Sequence, residues 1–299
     1  MKYLQFQDLL SLPILFLFAL ISQNCTDTYT PEIKAWQEQR FDDLKAPYSW
    51  PSVVGLFPLQ DSLSTFGSNE ENDIYIEKGP EYMGSLFTHE NGVTLKITAE
   101  NKVKIDDQEL VFSSLRTDRH EEGASFITYQ SLQAHIIDRE GAYFLRVKDT
   151  LSRYRKALTE IPYYPIDKNY RIKGKVDPNL SSDAVVTYKN ILGMDISNPI
   201  AAVILFDWKG ERYSLTAIES DEDHYMVMVH DETTGEDTYG GGRYLYPQKA
   251  DQNGIVYLDF NKLENPPCVF TPYATCPLPP KANHLPFKIE AGEKILHLY

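Results

Sequence analysis

Two carboxylates, Asp231 and Asp259, each stand at the end of a strand-like run, where a rigid sheet can hold an acid toward a loop-lined cleft. Asp259-Phe260-Asn261 spaces two polar side chains two residues apart, which on a strand puts both on one face. Arg243, beside another strand-like run, can pair with either Asp or with an anionic ligand, while Thr238, Tyr239 and Asn265 add donors and acceptors nearby. Such a set suits recognition of a polyhydroxylated or carboxylated small molecule, each group fixing one donor or acceptor. The same residues suit hydrolysis with Asp231 and Asp259 as acid and base, which requires two carboxylates in different environments about 5 to 9.5 Å apart. The alternative is structural: a buried Asp–Arg pair with Asn-capped turns.

Other chemistries find less support. His224 and His230 lie six apart on a strand-like run, on one face but roughly 20 Å apart, too far to share a metal. The acidic residues around them fit no calcium-loop spacing, and Cys268 and Cys276 lack the close spacings of a zinc site. GxSxG, P-loop and dinucleotide fingerprints are missing, so neither metal nor cofactor is expected. Phe66-Gly67-Ser68 with Asn72-Asp73-Ile74 faintly resembles the start of a phosphopeptide-binding forkhead-associated fold, but Ser68 stands where a basic residue is expected.

Charge narrows the partners. With 29 Lys and Arg against 43 Asp and Glu the net charge is −14, which repels phosphate backbones and anionic membranes, and no basic stripe reverses it locally. Nucleic-acid binding is therefore excluded. The apolar run Leu9 to Ile21 is too short to span a bilayer and reads as a signal-peptide core. The sequence Ser22-Gln23-Asn24-Cys25 after it resembles a bacterial lipoprotein signal, with Cys25 as the lipidated residue; Asn24 departs from the usual small residue, and secretion follows if Cys25 is not lipidated. Contact with a membrane is expected only through that anchor.

The elements that must position these residues are mainly β. Thr30 and Pro31 predict the start of an amphipathic helix carrying Ile33, Trp36, Phe41 and Leu44 on one face and ending before Pro47. Beyond it run short β-branched and aromatic stretches: Val93–Thr98, Lys102–Ile105, Glu109–Phe112, Ser125–Tyr129, Ala142–Val147, Ala184–Tyr188, Ile200–Phe206, Arg212–Ile218, Tyr225–Val229 and Ile255–Phe260. Hairpin signals stand at 90–92, 207–210, 232–235 and 252–254. A helical turn is expected near Arg153 to Lys156, and Ile161 to Pro165 connects two halves. The chain thus divides into a signal peptide (1–24), anchor linker and helix (25–47), an N-terminal β half (48–160) and a C-terminal β half (161–299), its sheets antiparallel and sandwich- or barrel-like.

Seven of the 18 prolines fall between Pro266 and Pro286, which forbids helix and disfavours a central strand, so this segment reads as a strap. Cys268 and Cys276, an even pair in an exported chain, are the candidate staple, a disulfide worth about 2 to 3 kcal/mol.

The motifs Asp231-x-Thr233-Thr234-Gly235-x-x-Thr238-Tyr239, Gly242-Arg243-Tyr244-Leu245, Asp259-Phe260-Asn261, Asn265-Pro266-Pro267-Cys268, Thr275-Cys276-Pro277-Leu278-Pro279-Pro280, Asn283-x-Leu285 and Ala291-Gly292-Glu293-Lys294 together closely resemble a bacterial and archaeal family known only as domain of unknown function 1684. Weaker matches upstream are Trp36 with Arg40, Val54-Gly55-Leu56, Gly67-Ser68 with Asn72-Asp73-Ile74, and Arg146 with Asp149. His284 departs from the family pattern, which more often has Arg there. The resemblance covers most of the mature chain and brings no established activity with it. The expectation is an extracytoplasmic, lipid-anchored β protein of the cell envelope that binds a small polar ligand beneath the strap; the alternatives are a hydrolase or a purely structural envelope lipoprotein.

Overall fold

The computed structural model describes residues 27–98 and 102–299. The expected leader and Cys25 lie outside them. Helix α1 (Tyr29–Lys45) begins before the expected cap: Thr28 is the N-cap, Asp27 Oδ1 accepts the Tyr29 N–H at 3.1 Å, and Thr30 and Pro31 fall in the first turn. Proline is tolerated there because a first-turn N–H has no helical partner to lose. Ile33 and Leu44 are buried and Trp36 and Phe41 half-buried, so the apolar stripe seats the helix on the body.

The first two sheets form a sandwich. Strands β1 (Val53–Pro58), β6 (Lys104–Ile105), β8 (Ile127–Tyr129), β9 (Leu132–Arg139) and β10 (Ala142–Asp149) pair in the order β1-β10-β9-β8-β6. Facing them, β2 (Leu63–Gly67), β3 (Ile74–Tyr75), β4 (Gly84–His89), β5 (Gly92–Ile97) and β7 (Phe112–Leu115) pair in the order β3-β2-β4-β5-β7. Phe66, Leu86 and Leu95 from one sheet meet Ile136, Leu145 and Val147 from the other in a single core. A short helix α2 (Arg153–Ala157) follows, capped by Ser152, whose hydroxyl accepts the Arg155 N–H at 3.2 Å.

The C-terminal part is a curved, half-barrel sheet of β11 (Arg171–Val176), β14 (Ala202–Trp208), β15 (Glu211–Glu219), β16 (Tyr225–Val229), β17 (Arg243–Leu245) and β18 (Ile255–Asp259), ordered β17-β16-β15-β14-β11-β18. A separate hairpin joins β12 (Val185–Lys189) to β13 (Asp195–Pro199). Every strand pair except β2 with β3 is antiparallel. The β14–β15 hairpin turns on Lys209 (φ 50°) and Gly210 (φ 90°), the left-handed pair that matches strand twist.

Three local expectations are corrected. β7 runs Phe112–Leu115 rather than Glu109–Phe112, because that register sets Leu115 opposite Val93 and buries it. Residues 252–254 turn into β18 without forming a hairpin, since β18 pairs with the distant β11. Asp259 and Asn261 do not share a strand face: Phe260–Lys262 is a 3-10 turn, and Asp259 caps it by accepting the Asn261 N–H at 3.2 Å.

The strap ties the two parts together through side chains and isolated backbone bonds, as its prolines require. Thr271 Oγ1 donates to Val53 O at 2.9 Å, Tyr244 Oη donates to Pro277 O at 2.6 Å, and Leu278 N donates to Lys189 O at 2.8 Å. Asn283 Nδ2 donates to both Thr216 O and Met228 O at 2.8 Å. The Cys268 and Cys276 sulfurs are at disulfide-bonding distance, with Cα atoms 6.2 Å apart.

Candidate functional site

Asp231 and Arg243, on opposite sides of the β16–β17 connection, meet in the interior. Arg243 is fully buried and donates from Nη2 to Asp231 Oδ2 at 3.0 Å and to Ile289 O at 2.9 Å, and from Nη1 to the carbonyls of Ala291 and Glu293. The other Asp231 oxygen accepts from Thr233 N at 2.9 Å, Thr233 Oγ1 at 2.7 Å and Ile289 N at 3.1 Å. Thr238, also fully buried, closes the set through a 3.0 Å contact of its hydroxyl with that of Thr233. This network fixes the C-terminal segment to the half-barrel.

Asn265 belongs to a second buried cluster. Its N–H donates to Glu293 Oε2 at 2.6 Å and its side-chain amide to Lys294 O at 2.8 Å. Arg40, from α1, reaches into the same place: it lies 3.0 Å from Glu293 and 3.4 Å from Glu264, and donates to Asn265 O at 3.1 Å. Burial pushes Glu264 up to about 7, against the pull of Arg40 and with the repulsion of Glu293. Gly292 makes the approach possible; at φ 78° it takes a left-handed conformation, and a Cβ there would meet Leu263 O at 2.5 Å. Tyr239 is half-buried, packed against the apolar cluster that includes Val269 and Phe270.

Asp259 is the sequence-selected residue that reaches a cleft. β17 and β18 are the two edges of the half-barrel, and they do not pair with each other. Tyr244 and Glu264 bridge one end of the seam, N to O at 2.9 Å in both directions. The rest opens as a cavity of about 490 Å³, with Leu245 to Gln248 on one lip, Ile255 to Tyr257 and Asp259 on the other, and Glu32 and Trp36 of α1 across its side. Asp259 Oδ1 accepts from Tyr29 Oη at 2.7 Å, and Tyr29 in turn accepts from Asn261 Nδ2 at 2.8 Å. Burial, then the hydrogen bond and charge of Asp259, raise the Tyr29 hydroxyl well above its ordinary range, so it stays a donor. Asn261 is spent on structure: its amide spans the Asp167 backbone, accepting from N at 3.0 Å and donating to O at 2.8 Å.

The cleft's polar lining is balanced. Arg171, Lys249 and Lys262 face Glu32, Asp251 and Asp259. Lys262 lies 2.9 Å from Glu32, whose carboxyl is held below its usual range by that hydrogen bond; the backbone N–H groups of Ile255 and Asn253 do the same for Asp251. Among these polar groups stand three rings: Trp36, Tyr246 and Tyr257, the last 51% exposed with the Arg171 guanidinium 5.2 Å from its centroid.

The structure therefore distributes the predicted residues over three polar places and leaves Tyr239 in an apolar cluster. Asp231, Arg243 and Thr238 form one buried network, Asn265 joins another, and Asp259 lines the seam with Asn261 behind it. Asp231 and Asp259 face different partners and are not brought together. No strap residue lines the seam, so the cleft lies beside the strap's path rather than beneath it. Sequence reasoning passed over Arg40, Glu264 and the aromatic trio as site residues. The signal for Arg40 was its spacing of four from Trp36, which aligns both on one helix face.

A larger cavity, about 660 Å³, opens on the sandwich between Tyr75, Lys78, Leu151 and Tyr273, with core residues such as Val147 at its floor and a Lys78–Asp149 ion pair in its wall. Among the described residues no group of three or more His, Cys, Asp or Glu side chains is placed to hold a metal.

No curated protein matches the chain. An uncharacterised protein of Haloarcula marismortui, solved in solution by NMR, is 27% identical, with a TM-score of 0.38 over 47% of this chain and 78% of that one. The half-barrel, the strap, Asp231, Arg243, Glu264 and Glu293 all fall within residues 156–294, and over that stretch the chain resembles the family described as Protein of unknown function (DUF1684).

Proposed function

We propose that this protein is a lipid-anchored component of the cell envelope whose half-barrel seam binds a small, uncharged polyhydroxylated molecule, a sugar or short glycan. The observation that carries the ligand class is the cleft itself: three aromatic side chains with three cations and three anions around a space of about 490 Å³. Sugars present apolar C–H faces and hydroxyl edges. Rings such as Tyr257 and Trp36 cover the first, and Arg171, Gln248, Asp251 and Asp259 supply paired donors and acceptors for the second. A lining without net charge favours a neutral ligand over an acidic one. The anchor rests on the Leu9–Ile21 run followed by Cys25.

Titration calorimetry with neutral hexose and N-acetylhexosamine oligomers, set against uronic-acid oligomers, tests this reading. Neutral oligomers are expected to bind, and Tyr257→Ala, an exposed change with little effect on stability, to weaken binding about tenfold, the loss of one aromatic contact. Equal affinity for acidic oligomers, or binding indifferent to Tyr257→Ala, would overturn it.

A further inference from the structure

A further cavity lies at the C-terminal end of α1, where a cation is buried with donors unpaired. In β10, Leu145 and Val147 enter the sandwich core, so Arg146 and Lys148 project from the opposite face. Arg146 is 5% exposed, and its Nε and Nη2 have no hydrogen-bond partner. The Lys148 ammonium makes no hydrogen bond or ion pair among the described residues. The cavity, about 360 Å³, opens on both, with Arg40, Asp43, Tyr48 and Trp50 around them.

The free atoms define a geometry. Nε and Nη2 form the side-on edge of a guanidinium, two parallel N–H donors that match two oxygens of a carboxylate or phosphate. The Trp50 ring lies with its centroid 5.0 Å from the Cζ of this guanidinium, and both unpaired nitrogens are themselves buried, so a ligand in the cavity reaches them only as the surrounding side chains shift. Acceptors nearby are already engaged: Glu293 and Glu264 hold Arg40, Asp43 accepts from Gln39 Nε2 at 2.8 Å, and the Leu44 and Lys45 carbonyls at the end of α1 accept from Ser49 and Arg155. His135, opposite Arg146 in the ladder, offers no negative charge, and burial holds it down at about 4, neutral at pH 7. Burial, then neighbouring cations, also bring Lys148 down to about 8 and Arg146 to about 10; Asp118 pulls Arg146 the other way more weakly, its carboxylate already held by Arg139 at 2.8 Å. A buried charge left in this state is costly, and an anion is what would relieve it.

We propose that this cavity binds a small molecule bearing an oxyanion, a carboxylate or a phosphate, which takes the free edge of Arg146 in bidentate fashion while Lys148 meets its second charged or polar group. On a strand the two cations stand about 7 Å apart, a span that suits a short dicarboxylate or a phosphate with one substituent. The net charge of −14 makes the remainder of the surface a poor competitor for such a ligand.

The test is calorimetry and thermal melting of the full chain with inorganic phosphate and with succinate. Saturable binding of at least one is expected, with proton uptake at pH 8 as Lys148 becomes fully charged; the responding anion assigns the class. Arg146→Lys, which keeps the charge and loses the fork, should weaken binding about tenfold or more, and Lys148→Gln should also weaken it and abolish the proton uptake. Arg146→Met should eliminate binding and raise the melting temperature of the ligand-free protein. Failure of both anions to bind, or unchanged binding in Arg146→Lys, overturns the proposal, as does a lowered ligand-free melting temperature in Arg146→Met.

Discussion

A carboxylate's role here depends on what faces it. Asp231 is the only counter-charge within reach of the buried Arg243 guanidinium among the described residues, whose remaining partners are carbonyls and a hydroxyl. Asp231→Asn should therefore cost about 3 to 5 kcal/mol, because it leaves a buried charge unpaired, and urea unfolding would register it as a shifted midpoint at constant slope. A loss below 1 kcal/mol would mean that the pair is not held as described. Glu264 works in the opposite sense. Its folded pKa, about 7, lies above the ordinary 4.5, so the folded state keeps a proton that the unfolded chain releases. Stability should fall as pH rises from about 4.5 to about 7, by as much as about 3 kcal/mol, and level off above that. Glu264→Gln should flatten this slope in urea midpoints measured from pH 4.5 to 8.

At the scale of elements, the strap and α1 do what a continuous sheet would otherwise do. The strap cannot form a ladder, so its order comes from discrete clamps such as Asn283 and Thr271 and from the Cys268–Cys276 pair. Replacing both cysteines by Ser should lower stability by about 2 to 3 kcal/mol, the loop-closure entropy of an eight-residue separation. Thiol titration of the unfolded, unreduced protein checks the pairing directly, and two free thiols would refute it. Helix α1 bridges what the sheet leaves open: Trp36 faces the seam, Arg40 reaches the Glu264–Glu293 cluster, and Tyr29 bonds to Asp259 across 230 residues of chain.

For the whole molecule, the two proposed sites both draw on one helix, the neutral seam on Glu32 and Trp36 and the cationic cavity on Arg40 and Asp43 further along it. If Cys25 carries the proposed lipid, Glu32 and Trp36 of the seam follow the anchor by 7 and 11 residues of sequence. Cys25→Ser should release the protein from membranes in cell fractionation and leave its melting temperature unchanged; membrane retention of that variant would count against the anchor.

Much of the architecture was legible because its causes are local. Alternating β-branched runs predicted β5, β10, β12, β15 and β16, the turn residues 207–210 predicted the β14–β15 hairpin, and the apolar stripe of α1 predicted its buried face. The Cys268–Cys276 pairing was expected from an even cysteine pair in a chain read as exported. Which face Arg146 and Lys148 take, and what lies across from them, followed only from the pairing of β10 with β1 and β9. Likewise the residue types at Asp231, Arg243, Asp259 and Asn261 marked a polar constellation without separating acids turned inward from acids on a cleft wall. Only the tertiary structure decided those matters: which way the Asp231 carboxylate points, that Asn261 serves residue 167, that β17 and β18 stay unpaired, and that α1 lines two cavities. The physical reason is range. Side-chain periodicity reports a residue's own face within a turn or a strand, whereas a site is made by chain segments more than 200 residues apart whose meeting depends on every intervening connection.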